Sequence, residues 1–207
     1  MPLQLVSPPA EEPVSLTDAK LHLRVDFTDD DALISALITA ARQAAETITG
    51  RQIVTARWRM VLDSFPGPSL MGVPAGSPFT LPGHAILIPK CPVQSVVSIQ
   101  YQDMAGIWQS MPTSDYVVDL ACEPARITPV FGKIWPITLP QIGAVSVTFD
   151  TGYGAAASVP EGIKSWIKLR VGSLYAHREE VAALSRGRIE TLPFIDGLLD
   201  PYKVVLA

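Results

Sequence analysis

Charge is scarce in this sequence. Asp, Glu, Lys and Arg make up 17% of the 207 residues, against about 25% in an ordinary soluble domain. Taking an ionised group out of water is costly, so surface that a partner covers is depleted in Lys, Glu and Asp. Together with a mean hydropathy of +0.27, the deficit points to an oligomer subunit. A compact monomer with a large core is the other state the composition allows. Cationic excess is missing too: 16 Lys and Arg stand against 20 Asp and Glu, for a net charge of −4. That balance argues against phosphate neutralisation, and so against nucleic-acid binding, as the main activity.

Other absences narrow the field further. No apolar run approaches the ~20 residues that span a bilayer, so no membrane partner is expected. Met1-Pro2-Leu3-Gln4-Leu5 lacks the basic start and apolar stretch of a secretory leader. Cys91 and Cys122 have no metal-ligand spacing and are expected as buried thiols rather than a disulfide. His22, His84 and His177 lie far apart without a paired ligand pattern, which speaks against zinc. There is no Gly-x-Ser-x-Gly elbow, no glycine-rich phosphate cradle and no internal repeat. No cofactor is expected. What remains is apolar: 48% hydrophobic residues make a substantial core attainable and exclude global disorder.

Periodicity organises the chain. Residues 1–14 are Pro- and Glu-rich and read as an extended arm. Ser15-Leu16-Thr17-Asp18 fits a capping box, in which the Ser15 hydroxyl accepts from a first-turn amide and Asp18 reaches back to the Ser15 amide. Leu16, Ala19 and Leu23 then share one face of a short helix. Thr28-Asp29-Asp30-Asp31 places acidic groups at a second helix start, where the dipole favours them. Leu33, Ile34, Leu37, Ile38, Ala41, Ala45 and Ile48 recur at helical spacing, and Gly50 is the expected left-handed cap.

After Gly50 the period changes. Ala56, Trp58, Met60 and Leu62 alternate with Thr55, Arg57, Arg59 and Asp63, as in a half-buried strand. A nearly uncharged Pro/Gly stretch follows from Phe65 to Gly83. Seven prolines fall from Pro66 to Pro92 (Pro66, Pro68, Pro74, Pro78, Pro82, Pro89 and Pro92), and in the Phe65–Gly83 stretch their missing amide donors exclude regular helix or central strand. Strands are expected at Ile86 to Ile88, Val96 to Gln102, Tyr116 to Asp119 and Val145 to Phe149, with a hairpin turn at Asp103-Met104-Ala105-Gly106. From Val159-Pro160 onward, Ile163, Trp166, Ile167, Val171, Leu174 and Tyr175 form a helical stripe to about residue 178. Phe194 to Leu199 is expected to add one or two helical turns, stopped by Pro201.

Three features invite a chemical reading. Phe149-Asp150-Thr151-Gly152 matches the Asp-Thr-Gly signature of aspartic proteases, in which two such carboxylates share a proton and activate water. One copy per chain requires a homodimer, and no apolar-apolar-Gly segment follows to brace the loop. The plainer reading is a strand end turning at Gly152 and Gly154. Asp29, Asp30 and Asp31 supply carboxylates for a cation, but helix capping accounts for them and EF-hand spacing is absent. Lys164, Lys168, Arg170 and Arg178 stand against Glu161 alone, which is either a solvated face or a face that meets a partner or passing DNA.

Taken in order, these segments resemble the head–tail connector (adaptor) family of tailed bacteriophages. The resemblance rests on Ser15-Leu16-Thr17-Asp18-Ala19-Lys20-Leu21-His22-Leu23-Arg24-Val25-Asp26, Asp29 to Ile34, Ala40-Ala41-Arg42 and Thr49-Gly50-Arg51-Gln52. It continues through the Trp58 strand, Leu62-Asp63-Ser64-Phe65-Pro66, Ser98 to Tyr101, Trp135-Pro136, Val147-Thr148-Phe149 before Gly152-Tyr153-Gly154, Val159-Pro160, Tyr175 to Glu179 and Leu198 to Tyr202.

The resemblance implies an α+β fold, a small helical bundle formed by N- and C-terminal helices with a β-rich insertion between them. The corresponding division is an arm over 1–14, a helical core over 15–52 plus 158–200, an insertion over 53–157 and a tail over 201–207. It implies no catalytic residues. It does imply a virion neck protein, assembled in the bacterial host cytoplasm, whose partners are about a dozen copies of itself in a ring, the portal, tail or neck proteins, and DNA passing without sequence-specific binding. Leu70, Met71, Val73, Phe79 and Leu81 in the apolar loop, Arg178 and Glu179, and Tyr202, Val204 and Leu206 in the tail are the expected contact residues. The alternatives are a homodimeric aspartic hydrolase using Asp150 and another phage neck or tail completion protein.

Overall fold

The computed structural model of the chain describes residues 2–67, 84–177 and 197–204. It divides into two units: Met1–Pro8 with Thr55–Gly152, and Pro9–Val54 with Tyr153–Ala207. Each has its own apolar core.

The second unit is helical. Its helices are α1 (Leu16–Leu23), α2 (Asp31–Thr49) and α3 (Glu161–Ala176), followed by a 3-10 turn at Asp200–Tyr202. Ser15 caps α1: its hydroxyl oxygen accepts from the Asp18 amide at 3.0 Å and donates to the Asp18 carboxylate at 2.7 Å. Asp18 thus closes the box on the Ser15 hydroxyl rather than on its amide. Arg24 ends α1 in the left-handed region at φ 59°, a conformation ordinarily left to glycine or asparagine. Gly50 ends α2 in the same way at φ 71°. Most of the expected stripes point inward, so that Ile34, Ile38, Ala41 and Ala45 of α2 share a core with Ile163, Trp166, Ile167 and Val171 of α3, while Leu33 and Ile48 are exposed.

The first unit is built from strands. β1 (Leu3–Ser7), β2 (Ala56–Leu62), β4 (Val93–Gln102), β5 (Trp108–Ser110) and β8 (Val145–Thr151) form an antiparallel sheet in the order β1-β2-β8-β4-β5. β3 (Ile86–Ile88), β6 (Tyr116–Asp119) and β7 (Ala125–Pro129) form a second, in the order β3-β7-β6. The inward alternation of β2 and β8 places Met60, Val145, Val147 and Phe149 in one core with Ile86, Ile88 and Ile127 of the smaller sheet. Phe65 stacks flat on Trp135, with ring centroids 4.7 Å apart, and meets Tyr101 edge-on. The Asp103–Gly106 turn is present, with Gly106 at φ 79° and the Asp103 carboxylate accepting from the amides of Ala105 and Ile107.

The expected fold class is corrected. The described chain is not a helical bundle whose terminal helices flank a β insertion. It is strand-rich, with three helices and two antiparallel sheets among the described residues. The N-terminal residues cause the difference. Leu3, Gln4 and Leu5 pair with Met60, Arg59 and Trp58, so the larger sheet contains the start of the chain. A pairing across more than fifty residues leaves no local signature in five residues bounded by prolines.

Candidate functional site

The residues singled out for chemistry are engaged in structure. Asp150 lies in β8 directly across from Arg57 of β2. Its two carboxylate oxygens accept from the Arg57 guanidinium at 2.8 and 3.0 Å, a bidentate cross-strand pair. The hydrogen bond to Asp150, reinforced by its charge, raises the pKa of Arg57. Gly152 follows at φ 131°, with its amide donating to the Pro92 carbonyl. The Asp-Thr-Gly string is therefore a strand end turning. Two of the three neighbouring carboxylates are also committed: Asp31 accepts from Lys20 at 2.6 Å, and Asp30 accepts from the Tyr175 hydroxyl at 2.5 Å. No cluster of His, Cys, Asp and Glu suited to a metal occurs among the described residues, and no helix among them is long and apolar enough to cross a membrane. Cys91 and Cys122 are not joined in a disulfide, and the first is buried and the second half-buried.

A more elaborate charge cluster was not foreseen. Arg42 of α2 is buried and reaches Glu12 at 2.7 Å and Glu46 at 3.1 Å. Burial works against its cation, but the hydrogen bond to Glu12 and the charges of Glu46 and Glu12 outweigh it, so its pKa is raised. Glu46 also accepts from the Gln52 side chain and the Ile53 amide. The cluster fastens the segment before α1 and the segment after α2 to the same helix. Lys164, one of the basic residues of α3, pairs with Glu161 at 3.0 Å.

Of the expected contact residues, Leu70, Met71, Val73, Phe79, Leu81, Arg178, Glu179 and Leu206 lie outside the described residues. Tyr202 and Val204 are described, and both rest on the helical unit. The Tyr202 carbonyl accepts from Arg51 at 2.5 Å, and its ring covers Gly162, where an added Cβ would approach it to 3.1 Å. The Val204 amide donates to the Thr49 carbonyl at 2.9 Å, satisfying one of the carbonyls left open at the end of α2.

The most conspicuous surface was missed by the sequence reading. Between β7 and β8, Phe131 (103%), Ile134 (86%), Ile137 (78%) and Ile142 (91%) are almost wholly exposed within twelve residues. The segment is nonetheless fastened. Lys133 pairs with Asp115, the Trp135 indole N–H donates to the His84 carbonyl at 2.6 Å, and the Leu139 amide donates to the Gln102 carbonyl at 3.0 Å. The Gln141 side chain donates to that of Gln102, and the Gly143 amide donates to Asp63 at 2.9 Å. Beside it lies a cavity of about 550 Å³, lined by Phe65, Pro66, Pro129, Trp135, Pro136 and Ile137 among others. Its signal in the sequence is the same as that of the loop after Phe65: Pro, Gly and large apolar residues with a single charge, Lys133.

The overall fold recurs in chains of solved particles. A chain from the neck of an empty gene transfer agent particle computed with C6 symmetry matches with a TM-score of 0.76 at 21% identity, over 100% of this chain and 97% of that one. A chain from the virion of a native gene transfer agent particle gives 0.75 at 20% identity, with the same coverage. One from the neck of a native particle computed with C12 symmetry gives 0.73 at 21%, again with that coverage. At such identity the likeness is one of fold. No curated protein matches the sequence. The model of the family described as phage gp6-like head-tail connector protein matches residues 13–115.

The class is that of bacteriophage structural proteins. Within it, this chain belongs to the phage gp6-like head-tail connector family.

Proposed function

We propose that this chain is a subunit of a virion neck, that about a dozen copies close into a ring, and that the ring joins the portal to the tail and continues the DNA channel. Its work is binding rather than bond-breaking. The observation that carries the reading is the full-length fold match to chains from particles whose necks were computed with C6 and C12 symmetry. Sparse charge and a fastened apolar loop support it, because a ring subunit presents one face to a different face of its neighbour, and both faces are desolvated. The net charge of −4 suits a channel through which DNA slides without being held. Assembly takes place in the bacterial host cytoplasm and the product resides in the virion neck. Leu70, Met71, Val73, Phe79, Leu81, Arg178 and Glu179 are proposed as contacts with sister copies, and the tail bearing Tyr202, Val204 and Leu206 as the part that meets the portal.

Electron microscopy and mass photometry of the purified chain, alone and with purified portal, test the proposal. Closed rings that bind portal are expected. A protein that stays monomeric at every concentration and never joins the portal overturns it. A variant ending at Val204 keeps the bonds to Arg51 and Thr49 and is expected to fold normally while losing portal attachment.

A further inference from the structure

We infer that the loop between β7 and β8 is a seam between neighbouring copies of this chain, with Phe131 and Ile142 of one copy entering the apolar cavity beside Trp135 of the next. The inference rests on the ring reading above and names the surface that closes it.

Four large apolar side chains more than three-quarters exposed within residues 131–142 are not an ordinary surface. Single exposed hydrophobes need no explanation, but grouped ones mark contact sites. The loop had an alternative open to it, since Trp135 in its middle turns inward, stacks on Phe65 and is 9% exposed. Its neighbours Ile134 and Ile137 turn outward. The backbone that displays them is held by Leu139 to Gln102, Gly143 to Asp63 and Lys133 to Asp115. A partner therefore meets a surface that is already ordered, and little conformational freedom is lost on contact.

Two features favour a second copy as the occupant. The same unit carries both a projection and a receiving cavity of about 550 Å³, the pair of unlike faces that a head-to-tail ring contact needs. The two sides also match in area. Phe131 and Ile142 of one copy, and Ile134 and Ile137 on the cavity wall of the next, each offer roughly 300 Å² of apolar surface. That is a substantial part of the ~800 Å² per partner of a standard interface. Lys133, the charged residue on the cavity wall, is already paired with Asp115, so closing the seam leaves no bare charge there.

The test is the paired variant Phe131→Asp with Ile142→Asp, compared with the unaltered chain by mass photometry and negative-stain microscopy. Far-UV circular dichroism and thermal melting serve as fold controls. The unaltered chain is expected to form rings, and the variant to remain folded while its assembly midpoint rises at least tenfold in concentration. Phe131→Ser with Ile134→Thr is expected to shift it in the same direction by less. If the unaltered chain forms no rings, the ring reading fails. If the unaltered chain and both variants form rings at the same concentration, the seam inference fails and the ring stands. Normal rings that no longer bind portal or tail protein would also overturn it, by assigning the loop to a different partner.

Discussion

The core of the helical unit and one loop of the sheet unit treat similar residues in opposite ways. In the helical unit Ile163, Trp166, Ile167 and Val171 are folded away, and even the Arg42 cation is buried between two carboxylates. In the sheet unit a fastened loop holds Phe131, Ile134, Ile137 and Ile142 out in water. Both arrangements are ordered, so the contrast is not one of rigidity. Hydropathy says that a side chain is better covered, while the fold decides whether this chain or another does the covering.

The contrast can be broken or sharpened experimentally. The largest expected effect is in the helical core: Trp166→Ala should lower unfolding free energy by about 3–5 kcal/mol, measured by chemical denaturation. Arg42→Ala comes next, at about 3 kcal/mol, because it leaves Glu12 and Glu46 facing each other without their cation. Hydrogen exchange at the Ile53 amide, which donates to Glu46, is expected to speed up in that variant. Ile142→Ser, an apolar-to-polar change, should alter folding stability by less than about 0.5 kcal/mol, since Ile142 covers almost nothing within its own chain. A core-sized loss there would refute the comparison.

The smallest effect is expected from acid acting on two partly exposed carboxylates of the sheet unit. The hydrogen bond from Lys133 holds Asp115 below the usual carboxylate range, and the one from Arg126 does the same for Asp119. Folded values below the unfolded value of about 3.9 mean that the contribution is complete above that pH and fades as pH falls through the lower folded value. The expected outcome is a slight, salt-sensitive fall in melting temperature as pH is lowered below about 4. Asp115→Asn should remove the Asp115 part of it.

What could be read from the sequence was what depends on neighbours in the chain. α2 spans Asp31–Thr49 because its apolar residues recur at one helical spacing and Gly50 stops it. β2 spans Ala56–Leu62 because its alternation is complete. β7 was missed because only Ala125 and Ile127 mark its inner face before Pro129. β1 was missed as a strand because its partner lies more than fifty residues away, and that omission misdirected the fold class. Arg24 gave no sign of ending a helix, since residues of its kind rarely adopt positive φ. The apolar loop was legible as composition and illegible as a surface. Nothing in Ile134-Trp135-Pro136-Ile137 says that the tryptophan turns in and the isoleucines out.

The attachment of Val204 has a mechanical side. Its amide is tied to the last residue of α2, and the Tyr202 carbonyl two positions earlier is tied to Arg51. Tension applied to the chain beyond Val204 is therefore delivered first to the end of a nineteen-residue helix whose flank is clamped by Arg42. Two hydrogen bonds take that load before Leu199, which is fully buried, is drawn upon.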